Sequence, residues 1–374
     1  MIALTELGSA QRSPRGRSKE PSQGSGLIAL TELGSAQRSP RGRSKEPSQG
    51  SCLIDISVVI PTCDRPARLL SLLADLRRST VRPREVIVVD ASDTPIPPPQ
   101  LAPFAGDLHV LRSPKSVCAQ RNRGIAEASG SWIFLCDDDI HVPPDYLSVL
   151  AAHIAAHPEA GAVSGLVLEQ VAGAWTGQHP VRSAATLLWC RVFQLGLWGE
   201  IHCEGPLGDR LAAHYRRRGN HISSAGWPVL TDFRAPYFRT PIYALGAALV
   251  RRDWLLASPY DERLDPRGYG DNYGVAIGFP PEGIHVVTGA AVQHDKEAAH
   301  RPPPAFSYLR RTLALDLFLS SPRGRALASR RWLAWSLLGN SLWHAARRNA
   351  DMCRASLTAL SAIVRDRNPY RAPA

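Results

Sequence analysis

From Leu53 onward the chain alternates short apolar runs with longer amphipathic ones. Residues 56–60 (ISVVI) form a short, mostly apolar run stopped by Pro61, the pattern of a strand buried on both faces. Residues 66–78 follow with Leu69, Leu70, Leu72, Leu73 and Leu76, which lay one broad apolar stripe along a helix. A second buried strand is predicted at 86–89 (VIVV), ending at Asp90. Residues 119–129 read as a helix closed by Gly130, and 132–135 (WIFL) as a strand running into Cys136-Asp137-Asp138-Asp139. A helix over 144–157 ends before Pro158. Strand and helix alternating at this spacing predict an α/β fold with a parallel, doubly wound sheet. Open sheets of that kind bind ligands beyond the carboxyl ends of their strands. Asp64, Asp90 and the 137–139 triplet all follow such ends, so they should share one rim.

Beyond Gly165 the pattern loosens. Residues 183–199 are apolar with a single Arg and predict one helix, whereas 200–240 show no period and predict a long functional loop. Strands return at 243–250 and 285–293, and helices over 308–320 and 326–346 carry Leu, Trp and paired Arg. At the other end, IALTELGSAQRSPRGRSKEPSQGS occurs twice with a period of 26. Two identical copies rich in Ser, Pro, Gly and Arg read as a disordered, duplicated leader rather than a solenoid, which needs about three diverged units. The expected organisation is a leader at 1–53, an α/β domain at 54–300 and a basic helical extension at 301–374.

Charge sharpens this division. The formal net charge is +11, of which 1–53 carry +4 and 301–374 carry +10, so 11 − 4 − 10 leaves the middle at −3. A nucleic-acid groove in the main domain is disfavoured, because phosphate binding needs clustered positive charge there. Seven cysteines with no C-x-x-C spacing argue against a disulfide framework or zinc module. Neither a membrane-length apolar run nor a signal-like h-region occurs, and the expected location is cytoplasmic. Trp332, Trp335 and Trp343 alternate with Arg310-Arg311, Arg330-Arg331 and Arg347-Arg348. Such helices either pack on the main domain or attach peripherally to the anionic inner face of a membrane.

Three adjacent carboxylates at a strand end repel one another, and a bound cation removes that cost. Hard oxygen donors suit Mg²⁺ or Mn²⁺. The triplet by itself also fits a solvated turn, a helix cap, a calcium loop or a two-metal phosphatase.

The neighbouring motifs narrow the choice. VVIPTCDRPARL (58–69), VIVVDASD (86–93), QRNRGIAEASG (120–130), WIFLCDDDIHVPPDYL (132–147), LGAALVRRD (245–253), SPYDERLDPRGYGDN (258–272) and AAVQHDK (290–296) follow in order. This succession resembles the glycosyltransferase family 2 enzymes of the GT-A fold. The resemblance implies a nucleoside pocket lined by Pro61, Thr62 and Asp64, with Asp90 accepting the imide N–H of a uracil or thymine ring. It places Arg121 near the base or the phosphates and Asp137 on the ribose, with Asp138 beside it on the donor. Asp139 and His294 would hold the divalent cation; a register shifted at Cys136 would give that part to Asp137 or Asp138. Asp271 is the candidate base, since its neighbour is Asn272, which takes no proton, where relatives often place the base. The implied activity is metal-dependent, inverting transfer of a sugar from a nucleoside diphosphate donor of the UDP or TDP type. Its acceptor would be the hydroxyl of a glycan, a lipid-linked glycoconjugate or a small molecule. The rival readings are a sugar-nucleotide nucleotidylyltransferase and a non-catalytic nucleotide-sugar binder.

Overall fold

The computed structural model describes residues 54–264, 266–280, 283–295 and 302–371; the repeated segment at 1–53 lies outside them. The first half runs β1 (Ile56–Thr62), α1 (Pro66–Arg77), β2 (Glu85–Asp90), α2 (Pro98–Leu101), β3 (Leu108–Arg112), α3 (Val117–Glu127), β4 (Trp132–Cys136), β5 (Ile140–His141) and α4 (Tyr146–Ala156). Next come β6 (Ala162–Val171), β7 (Ala174–Thr176), α5 (Ala184–Val192), β8 (Leu197–Trp198), α6 (Pro206–Arg218), β9 (His221–Ile222), β10 (Pro228–Leu230) and β11 (Tyr237–Thr240). The last part holds β12 (Ala247–Arg251), α7 (Arg252–Ala257), α8 (Asp271–Ile277), β13 (Ile284–His294), α9 (Pro304–Leu319), α10 (Pro322–Leu327), α11 (Arg330–Ala346) and α12 (Ala350–Val364).

The main sheet has the order β11-β13-β6-β12-β4-β1-β2-β3. β3, β2, β1 and β4 are parallel, as their apolar runs predict. The other half is mixed. β12 enters antiparallel between β4 and β6, β6 and β13 are parallel, and β11 closes the edge antiparallel to β13. Every residue of β1 is buried, and the ladder pairs its end with Asp90 on β2, so the chain leaves β1 on the predicted rim.

Three expectations need correction. The helix expected over 183–199 stops at Val192, and Gln194 then takes a left-handed φ of 55° before β8 begins. The aperiodic stretch 200–240 contains α6, which starts on Pro206 and is closed by Gly219. Its buried face is only Gly208, Leu211, Ala212 and Tyr215, too thin a stripe to show as a period among so many Arg. The strand expected at 243–250 is confined to Ala247–Arg251.

The C-terminal helices pack on the sheet domain's core. Leu313, Ala314, Leu317 and Phe318 of α9 join the core under the sheet, and Leu315 and Leu319 face a second cluster with Leu333 and Leu337 of α11 and Ala359 of α12. Each such leucine contributes about 1.5–3 kcal/mol when fully buried. Asp316, buried on α9, accepts from Arg330 Nε at 2.6 Å and Asn368 Nδ2 at 2.8 Å, so its charge is compensated. Among the described residues no helix is long and apolar enough to cross a membrane.

Candidate functional site

A cavity of about 570 Å³ opens at the carboxyl ends of β1 and β4. Pro61, Thr62, Asp64, Arg121, Asp137, Asp138, Asp139 and His294 all line it, although they span most of the sheet domain. Asp64 has a φ of 57°, a left-handed conformation that Asp tolerates better than most residues. Its turn is held by Ser92 Oγ, which accepts from the Asp64 N–H at 2.7 Å, and by the Asp93 N–H, which donates to Asp64 Oδ1 at 3.0 Å. Asp90 is not brought to the wall. It is 1% exposed, pairs with Arg112 at 2.5 Å and accepts the Ser92 N–H at 2.8 Å, which fixes the turn opposite Asp64.

The aspartate triplet fans out instead of pointing at one centre. Asp137 turns to Arg121, whose Nη2 lies 2.5 Å from Oδ1. Asp138 points inward, accepting from Thr62 Oγ1 at 2.7 Å, with Arg65 Nη2 at 2.7 Å from its other oxygen. Burial pushes the Asp138 carboxyl up to about 7 against the pull of Arg65 and Thr62. Asp139 faces His294, with Nε2 at 3.2 Å, and Arg65 at 3.1 Å. Burial alone would raise Asp139, but the His294 hydrogen bond and the charges of His294 and Arg65 bring it down to about 2. Much of the like-charge cost that sequence reasoning assigned to a cation is therefore met by Arg65 and Arg121.

A cation still has a place. Among the described residues no group of three or more His, Cys, Asp or Glu could hold a metal ion. Asp139 and His294 stand side by side, however, with Glu169 Oε1 3.8 Å from the other ring nitrogen of His294. Two protein donors of this kind fit a divalent ion that completes its shell with ligand oxygens and water. Asp139 and His294 thus fit a divalent ion as two of its ligands.

Arg121 joins this cavity to a second one. Its guanidinium, nearly inaccessible, also pairs with Asp271, the first residue of α8. The Tyr260 ring lies beneath it, 5.1 Å from the guanidinium carbon. Burial raises the Asp271 carboxyl, opposed chiefly by Arg121; its Oδ1 also accepts the Asn272 N–H at 2.7 Å. The second cavity, about 340 Å³, is bounded by Asp271, Asp137, His294, Trp198, Trp227, Tyr243, Tyr269, Tyr273 and Arg311. Gly246 makes the junction possible: a Cβ there would strike the Asp137 carboxylate, and its carbonyl accepts the Asp137 N–H at 2.9 Å.

Several site residues escaped the sequence reading. Arg65 follows Asp64 directly, and a buried acidic triplet needing a counter-charge was the signal that could have found it. Gln120 donates to Thr62 O and Val89 O, both at 2.7 Å, and ties the ends of β1 and β2 together. Tyr260, Glu169 and Arg311 carry no local signal, because each reaches the site only through long-range packing.

Solved structures similar to this chain include GalNAc-T7 with UDP, GalNAc and Mn²⁺, at 15% identity over 86% of this chain and 59% of that one, with a TM-score of 0.48. Another is the mannosyltransferase PcManGT from Pyrobaculum calidifontis with GDP-Man and Mn²⁺, at 16% identity over 83% of this chain and 87% of that one, with a TM-score of 0.42. A curated relative, the uncharacterized glycosyltransferase YwdF of Bacillus subtilis (strain 168), is 38% identical over 102 residues, 26% of this chain and 38% of the relative's length. The family model for glycosyl transferase family 2 matches residues 57–246, half of the chain. That match, which spans the parallel strands and their acidic rim, places the chain in glycosyl transferase family 2.

Proposed function

We propose that the chain transfers a sugar, with inversion, from a nucleoside diphosphate donor of the UDP or TDP type to an acceptor hydroxyl in glycan or glycoconjugate synthesis. The observation that carries this is Arg121, which holds Asp137 of the donor cavity and Asp271 of the adjoining cavity at once. Pro61, Thr62 and Asp64 hold the nucleoside. Asp90 supports the base pocket from behind and meets the base only when Arg112 yields one carboxylate oxygen. Asp137 faces the ribose and diphosphate, Asp138 acts on the donor from behind through Thr62 and Arg65, and Asp139 with His294 would hold Mn²⁺ or Mg²⁺. When bound, that cation supplies Lewis-acid neutralisation of the leaving diphosphate.

Asp271 takes the acceptor's hydroxyl proton on its carboxylate. The acceptor oxygen forms the new bond to the anomeric carbon as the carbon–oxygen bond to the diphosphate breaks with its electron pair. Arg121 orients the carboxylate, and burial keeps it basic enough to accept a proton.

A plate of UDP, TDP, GDP and CDP sugars with and without Mn²⁺, read by thermal shift, tests the donor assignment. Asp271→Asn belongs on the same plate. We expect a metal-dependent shift with one uridine or thymidine sugar, kept in the variant, while turnover falls about 10²–10⁴-fold. No shift with any nucleotide sugar defeats the reading, and unchanged turnover in the variant leaves only a binder.

The C-terminal surface favours a leaflet contact. Trp332, Trp335, Leu338 and Leu342 are exposed on α11, fringed by Arg331, Arg347 and Arg348. We expect the chain to float with phosphatidylglycerol vesicles at low salt and to release as salt rises. Absence of flotation at low salt removes the contact.

A further inference from the structure

Among the described residues, Arg311 on α9 lines the second cavity without an anionic partner. Its Nη1 is enclosed yet has no hydrogen-bond partner, and among the described residues no carboxylate forms an ion pair with it. What it has is the Tyr269 ring, 5.9 Å from its guanidinium carbon. The other guanidiniums of known contact are committed: Arg65 to Asp138 and Asp139, Arg121 to Asp137 and Asp271. Enclosing a guanidinium N–H without an acceptor costs free energy. The fold nevertheless brings α9 close to do so. Gly270, immediately before Asp271, has a φ of 89°, and a Cβ there would sit 2.8 Å from Ala314 Cβ and 3.5 Å from the Arg311 Cα. The loop that presents Asp271 is thus seated directly on the turn that presents Arg311, and both line the second cavity.

We propose that Arg311 reads an anionic group, phosphate or carboxylate, carried by the hydroxyl acceptor. The inference rests on the reading of Asp271 as the base on that hydroxyl. The guanidinium supplies paired N–H donors suited to either anion. Tyr269, Tyr273 and Trp227 give the cavity apolar walls for the rest of the acceptor. Asp137, Asp271 and Glu169 are also on this wall, but Arg121 engages the first two and Glu169 lies against His294, so none of the three is paired with Arg311. In this arrangement the C-terminal helices complete the acceptor side, and an acceptor without a negative group leaves Arg311 unsatisfied.

The test is calorimetric binding to the full chain with UDP and Mn²⁺ saturating, so that the diphosphate region is filled. Glycerol 3-phosphate and glycerate serve as soluble anionic probes, glycerol as the neutral control, and phosphatidylglycerol vesicles as the lipid source. The expected result is at least tenfold tighter binding of one anionic probe than of glycerol. Arg311→Gln should abolish that preference, Arg311→Lys should keep part of it, and UDP affinity should stay unchanged in both. Loss confined to the soluble probes assigns the anion to a small molecule, and loss confined to the vesicles assigns it to a lipid headgroup. Anion binding that is absent, or equal in wild type and Arg311→Gln, overturns the proposal. UDP affinity is a separate readout: its failure in the wild-type chain defeats the donor assignment, while the anion arm, repeated without UDP, still decides Arg311.

Discussion

The two halves of the sheet build the site in different ways. The parallel half, β3-β2-β1-β4, lines the first cavity from one continuous stretch: Thr62 to Arg65, Gln120 and Arg121, and Asp137 to Asp139, with Asp90 behind the wall. Its charges are matched internally, each carboxylate of the triplet meeting its own Arg or His. The mixed half and α9 supply His294, Gly246, Asp271 and Arg311 from segments far apart in the chain. There the matching is incomplete, since Arg311 ends against a tyrosine ring. The parallel half is thus electrostatically closed on itself, whereas the mixed half keeps an enclosed guanidinium N–H without an acceptor.

Arg121 is where the halves are fastened, so removing it should produce the larger effect. Arg121→Met leaves Asp137 and the buried Asp271 without their counter-charge, and breaking a buried pair in this way costs about 3–5 kcal/mol. Arg65→Met should cost less, because the Arg65 side chain is 38% exposed and Asp138 keeps its Thr62 hydrogen bond. Denaturant unfolding of the two variants checks the order. Equal losses would mean that Arg121 is no more than another salt bridge on the donor side, and the division between halves would lose its seam.

The same division governs what the sequence made legible. β1, β2 and β4 are buried on both faces, so each reads as an apolar run and its terminal Asp can be placed on a rim from topology alone. β3 has an exposed edge pattern and offered no such run. Asp90 was placed at the right strand end, yet its neighbours are set by Arg112 on β3, whose register the sequence did not give away. Asp271 and His294 could be named only through motif resemblance, because their meeting with Asp137 and Asp139 depends on β12 and β13 folding back across the sheet. Arg311 lay beyond both kinds of reasoning. An Arg in an amphipathic helix looks solvated until the neighbouring loop, pinched at Gly270, is known to cover it.

A smaller effect separates the scaffold from the site within one strand. β13 carries His294 at its site end and His285 near the other, where the environment is of the opposite kind. His285 is buried, faces His153 across a 2.9 Å ring-nitrogen contact, and stacks on Tyr237 at 5.3 Å; His157, Arg239 and Glu159 surround them. Burial, then the charges of His153 and Arg239, pull the His285 imidazole down to about 4. Its folded value is therefore below the unfolded one of about 6.5. Above pH 6.5 neither state holds the proton, and His285 has no effect on stability. As pH falls from 6.5 through 4, the unfolded chain takes up a proton that the native chain refuses, and stability drops, by roughly 2–3 kcal/mol at the lower limit. Scanning calorimetry should show the melting temperature falling over that window and His285→Gln falling less steeply, whatever its starting value. Because this edge lies away from both cavities, the proposed nucleotide binding should be the same at pH 7 in the variant. Parallel slopes in variant and wild type would move the acid sensitivity from this histidine cluster to the carboxylates of the rim, and with it the claim that the mixed half has a scaffold edge independent of its site.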